Sequence, residues 1–196
     1  MNNSKETLIR QLEDGDLNAR LRAISKLSDI GTPDIIEVFR GILNNKNEET
    51  DVRRYIIESF LEFEPSEIIT DLLTILENKG EKHILRMAAA YVIGKFEMLP
   101  VSGLPVIGSS RNISDEIIVS FKRIVEDNSE DYRLRVEVLK SLKEQRAIVS
   151  LTAPFFNQGI DIITSLKNIA LDENEEDTVR YYAADTYLSV IPQKEE

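Results

Sequence analysis

The chain has no cysteine and no tryptophan among its 196 residues, and only one histidine, His83. Without cysteine there is no disulfide, no zinc-thiolate site and no thiol chemistry. A lone imidazole cannot build a histidine-rich metal site, so His83 is expected in a surface or capping role at a helix start. No GxGxxG, GxxxxGKS/T or GxSxG occurs, which removes the common phosphate cradles and the serine-hydrolase elbow. Acid clusters such as Glu173 to Asp177 lack the alternation of a calcium loop and read as solvated turns. No catalytic residue, metal or cofactor is therefore expected. The opening MNNSKETLIRQLEDGD shows no basic segment followed by an apolar core, and no apolar run approaches the ~20 residues that span a bilayer; a cytoplasmic location away from membranes is the expectation. Positive charge is also in deficit: 24 lysines and arginines face 35 acids, a formal net charge of −11. Such a surface repels phosphate backbones, so no nucleic-acid partner is expected.

What is present is a repeat. In ILRMAAAYVIGKF, residues 84 to 96, an aliphatic residue precedes an arginine, and apolar residues follow three, four and seven places later: Leu85, Arg86, Ala89, Ala90 and Ile93. These offsets return to one side of an α-helix. The same frame holds Arg20 with Ala23, Ile24 and Leu27; Arg53 with Ile56, Ile57 and Phe60; Arg135 with Val138, Leu139 and Leu142; and Arg180 with Ala183, Ala184 and Tyr187. The arginines at 20, 53, 86, 135 and 180 lie 33, 33, 49 and 45 residues apart, a basic period with two stretched intervals, as in a stacked array. An apolar helix precedes each: Leu8 and Leu12; Ile35, Phe39, Ile42 and Leu43; Ile68, Ile69, Leu72 and Leu76; Ile117, Phe121, Ile124 and Val125; Ile162, Ile163, Leu166 and Ile169. The expected fold is all-α, a right-handed solenoid of about five antiparallel helix pairs in a single domain over 1–196. The repeats fall at about 4–31, 32–63, 64–97, 114–145 and 159–191, with insertions at 98–113 and 146–158.

A 33-residue period also suits ankyrin and tetratricopeptide repeats, but TPLHxA and WxxLGxxY are absent. LRMAAAYVIG (Leu85 to Gly94) and VRYYAADTYL (Val179 to Leu188) resemble the HEAT family, in particular its short phycobilisome-lyase-type repeats. That resemblance implies the superhelix, a structural role for Arg20, Arg53, Arg86, Arg135 and Arg180, and a concave side lined by second helices. In HEAT repeats an aspartate six residues before the arginine commonly joins an Asp-Arg ladder; here that place holds Asp14, Asn47, Gly80, Ser129 and Asn174. A ladder would have to use other acids such as Asp16, Glu49, Asp131 or Glu176. The di-iron hydroxylases of the superfamily need several His-Glu pairs, and its DNA glycosylases need basic grooves; neither is found.

Along the chain, Asp16 or Asn18 is expected to start the second helix and Gly31 to stop it. Thr32-Pro33-Asp34 follows as a cap residue, a proline at the first helical position and an acid facing the helix dipole. The first insertion, MLPVSGLPVIGSSRN, carries two prolines and cannot be helix throughout; Ser114 is expected to restart the helix. Both insertions are apolar and should lie on one edge. They either plug a gap in the stack or present Leu104, Val106, Ile107, Phe155 and Phe156 to a partner, and self-association through them is allowed.

The second candidate surface is the row of second helices. Residues one, two, five and six places after each arginine point away from the buried stripe. Repeats two to five put there Arg54, Tyr55 and Glu58; Met87, Ala88, Tyr91 and Val92; Val136, Glu137 and Lys140; Tyr181, Tyr182 and Asp185. Tyrosine combines large area with few rotors and a polar tip. Tyr55, Met87, Tyr91, Val136, Tyr181 and Tyr182 are therefore expected to form a stripe with acidic borders, suited to a helix or peptide carrying basic residues. The expected function is a non-enzymatic scaffold or adaptor that binds another protein. The alternative, implied by the resemblance alone, is a bilin lyase or isomerase acting on a phycobiliprotein.

Overall fold

The computed structural model describes residues 5–96, 109–145 and 157–191. All ten regular elements among them are α-helices, joined by one short 3-10 turn, Phe60–Glu62. They are α1 Lys5–Asp14, α2 Leu17–Ile30, α3 Pro33–Asn44, α4 Thr50–Ser59, α5 Pro65–Glu77, α6 His83–Lys95, α7 Ser109–Glu126, α8 Tyr132–Glu144, α9 Asn157–Leu171 and α10 Asp177–Val190. The helix α7 begins at Ser109 rather than Ser114, since Ser109 to Asn112 hold no residue that interrupts a helix.

Local chemistry sets the boundaries. Asp16 accepts the amide of Ala19 at 2.8 Å to open α2, and Gly31 closes it with φ 64, a left-handed conformation that costs glycine nothing. Pro33 occupies the first turn of α3 as expected. Thr32 has the extended backbone of a cap, yet its hydroxyl makes no cap hydrogen bond, so the proline and Asp34 open α3 without it.

The helices form two compact units, Met1–Val92 and Ile93–Glu196, with the division inside α6. In the first, α1 packs on α2, α3 on α4, and α2 on α4. Its centre is an aromatic cluster of Phe39, Phe60 and Phe63, with ring centroids 6.0 to 6.3 Å apart. In the second, α7 packs on α8 and α9 on α10, while α7 meets α9 and α8 meets α10. First helices thus pack on first helices and second on second, a two-layer arrangement that buries Phe121, Leu134, Leu139, Leu142, Ile162 and Leu166. Glycine at 94 permits the closest approach there: a Cβ added to it would lie 2.6 Å from Cβ of Ser141. Beside it, the buried amide of Gln145 donates to the carbonyls of Ile93 and Gly94 at 3.2 Å, which satisfies orphan acceptors at the end of α6.

The repeat arginines tie each pair together. Nε of Arg20, Arg53, Arg86 and Arg135 donates to the carbonyls of Leu12, Leu43, Leu76 and Val125 at 2.7, 3.0, 2.7 and 3.0 Å. Each carbonyl belongs to the end of the first helix of the same pair, where backbone acceptors lack helical partners. The terminal nitrogens grip a glutamate from the next repeat: Arg20 takes Glu48 (2.8 and 2.7 Å), Arg53 takes Glu81 (2.9 and 2.6 Å) and Arg135 takes Glu175 (2.9 and 2.5 Å).

A ladder therefore exists, built from glutamates five residues before the next arginine. The acids expected to form it lie one residue further on and serve elsewhere. Asp16, Asp131 and Glu176 cap α2, α8 and α10 through the amides of Ala19, Arg133 and Val179, each at 2.8 Å, and Glu49 nears Arg20 only at 3.8 Å. The turn that presents each glutamate is itself repeated. Asn45, Asn78, Asp127 and Asp172 accept the amides two residues on, from Asn47, Gly80, Ser129 and Asn174, at 2.9 to 3.1 Å. This Asx turn fixes the backbone, and Glu48, Glu81 and Glu175 also accept the amide of the residue that follows them.

The fifth arginine differs. Arg180 pairs with Asp177 of its own helix at 3.4 Å, and its buried Nε has no partner.

Candidate functional site

The electrostatics of the ladder are structural. The Arg20 guanidinium holds the Glu48 carboxyl below the usual carboxylate range, and Glu48 in turn raises Arg20. Arg53, aided by Lys46, brings Glu81 down to about 2. Burial pushes Glu175 up, but its bonds to Arg135 and the Glu176 amide more than offset this and leave it lowered. Among the described residues no cluster of His, Asp or Glu could hold a metal, and no helix is long and apolar enough to cross a membrane.

The expected stripe divides on inspection. Tyr91 is 42% and Tyr181 65% exposed, while Tyr55, Met87 and Tyr182 are half-buried. Val136 is only 7% exposed, and Ala88 and Val92 are buried as well. These three cannot offer a surface. Ser141 and Thr186, six places after the arginine in α8 and α10, are buried as well. Thr186 shows why, since its hydroxyl donates to the Leu139 carbonyl of α8 at 3.0 Å. A second helix with a neighbour on its flank buries that side against it.

The structure brings Tyr181 and Tyr182 together edge to face, with centroids 5.2 Å apart and planes at 84°. Nζ of Lys140 sits 5.1 Å from the Tyr182 ring centroid, a cation–π contact between α8 and α10. The expected acidic borders are neutralised: Glu58 pairs with Arg54 at 2.9 Å, Glu137 with Lys140 at 3.7 Å and Asp185 with Lys143 at 2.8 Å. Leu104, Val106, Ile107, Phe155 and Phe156 lie outside the described residues.

In the first unit Tyr55 is one wall of a shallow groove of about 330 Å³, whose other walls are Asn18, Leu21, Arg22, Ser25 and Lys26 of α2. Leu21, Arg22, Ser25 and Lys26 stand one, two, five and six places after Arg20. They are the first repeat's copy of the face sought in the other four, and the sequence reading passed over them. The signal was the register itself, applied to Arg20 as to the other arginines.

Paired helices tied by a recurrent arginine and repeated turn chemistry define a helical-repeat protein. More narrowly, the chain belongs to the vitellogenin TPR domain family, whose model matches residues 2–100. That segment takes in the first three helix pairs. The family is named for the tetratricopeptide repeat rather than for HEAT, and the chain joins it without the WxxLGxxY signature. No curated protein matches the chain.

Proposed function

We propose that the chain is a non-enzymatic interaction scaffold that binds another protein on its second helices. The observation that carries this reading is the α2–α4 groove, where Tyr55 and the outward positions of the first repeat form a concave surface with aromatic, aliphatic and polar walls. Binding sites of this kind need concavity and a few placed polar groups, and tyrosine is a frequent anchor in them. The exposed Tyr91 of α6 and Tyr181 of α10 extend the same register on other second helices. We assign the helix pairs to the HEAT type within this proposal. Support comes from the arginine at the same place in every second helix and from the grip of Arg20, Arg53 and Arg135 on the next repeat's turn. Full engagement of the buried acids and arginines in the ladder favours a scaffold over an enzyme.

The test is affinity capture from the native cell with quantitative mass spectrometry, comparing wild type with Tyr55→Ala/Tyr91→Ala. A protein enriched by wild type and lost with the double variant is the expected result. Enrichment of no protein over a folded control would defeat the scaffold reading.

A further inference from the structure

Six basic side chains of the first unit pair with acids. Lys5, Arg20, Arg40, Lys46, Arg53 and Arg54 pair with Asp34, Glu48, Asp71, Glu81, Glu81 and Glu58. Arg22 and Lys26 pair with no acid among the described residues. They are both exposed, one helical turn apart on α2, and both line the groove beneath Tyr55. Like charges at this spacing repel and weaken an isolated helix, so α2 carries two unmatched cations at some cost. The acids closest in sequence to Tyr55, Asp51 and Glu58, already face Arg54 at 3.9 and 2.9 Å. The groove is thus a cationic spot on a chain of net charge −11, with Leu21 and the Tyr55 ring as its apolar part.

We propose that this groove docks an acidic peptide segment of a partner protein. Arg22 and Lys26 would meet its carboxylates, and Leu21 and Tyr55 would cover an aliphatic side chain between them. The inference rests on the scaffold reading and specifies the partner's chemistry. A peptide with basic residues would meet two unscreened cations on entry. A long polyanion such as a nucleic acid would match the spot but be repelled by the acidic surface around it. A short acidic segment gains the local attraction and avoids most of that repulsion.

The experiment is fluorescence anisotropy of the full chain with a short fluorescein-labelled peptide of glutamate and leucine, beside a matched peptide of lysine and leucine. The glutamate peptide is expected to bind, more weakly as salt rises, and the lysine peptide is not. Arg22→Glu/Lys26→Glu should weaken binding by about tenfold or more, since placing like charges across an interface costs several-fold per pair. These side chains are exposed, so the thermal melt of the variant should overlay that of wild type. Absent glutamate-peptide binding, equal or tighter lysine-peptide binding, or an unchanged Kd in the charge-reversed variant would each overturn the proposal. So would displacement of the peptide by a single-stranded oligonucleotide at lower concentration. A captured partner that survives the charge reversal but is lost with Tyr55→Ala/Tyr91→Ala would leave the scaffold standing and remove this inference alone.

Discussion

Arg53 grips Glu81 with both terminal nitrogens, at 2.9 and 2.6 Å, while its Nε donates to the Leu43 carbonyl at 3.0 Å. One guanidinium therefore joins the end of α3, the helix α4 and the turn before α6. Both side chains are nearly buried, at 4% and 5% exposure, and removing one partner leaves the other charged and desolvated. Glu81→Ala should lower the unfolding free energy by about 3–5 kcal/mol, read by urea denaturation. Arg53→Lys should recover little of the pairing, because an ammonium cannot present a planar fork and a separate Nε–H at once. A loss below about 1 kcal/mol for Glu81→Ala would mean that the ladder adds order without stability.

The same pairs set an acid limit. An unfolded glutamate titrates near 4.5, whereas Glu81 is held at about 2 by Arg53, and Glu48 and Glu175 are lowered too. The unfolded chain therefore binds more protons than the folded one below about pH 4.5, so stability falls as pH drops. The contribution of Glu81 is complete above about 4.5 and is lost progressively towards 2. Urea midpoints measured from pH 6 to pH 3 should decline, and Glu81→Gln should flatten part of that decline while starting from a lower plateau.

Gly94 is held by proximity. An added Cβ would lie 2.6 Å from both Cβ and Oγ of Ser141 and 2.8 Å from its Cα, distances no side-chain rotation relieves in full. Ordinary helix propensity favours alanine over glycine by about 1 kcal/mol. Here the sign should reverse: Gly94→Ala is expected to destabilise by about 1–3 kcal/mol through forced separation of the helices. A raised melting temperature would refute the contact.

The helix pairs were legible because their signals are local or periodic. Gly31, Pro33 and the offsets of three, four and seven from each arginine act within a turn or two. The ladder was half legible. Its arginines stood out, but attention to the sixth and fourth positions before them passed over Glu48, Glu81 and Glu175 at the fifth, with Asn45, Asn78 and Asp172 three residues earlier. Burial on the second helices was less legible still. Whether Val136 or Ser141 faces water depends on a flanking helix far away in sequence, and a single-helix pattern carries no record of it.

That distinction separates core from surface by experiment. Val136 and Tyr55 were expected to act alike, as members of one binding stripe. Val136 is buried, and trimming it removes two methyl groups from a packed site. Val136→Ala should cost about 2 kcal/mol of stability and leave partner affinity unchanged once the variant is fully folded. Tyr55 borders an open groove, where truncation leaves no closed cavity. Tyr55→Ala should change stability by less than about 1 kcal/mol but weaken partner binding by about 2 kcal/mol. Thermal melts and titration calorimetry on the two variants give opposite rankings if the groove is the docking surface. Equal loss of binding in both would return Val136 to the interface, which would require α8 to turn that face outward on binding.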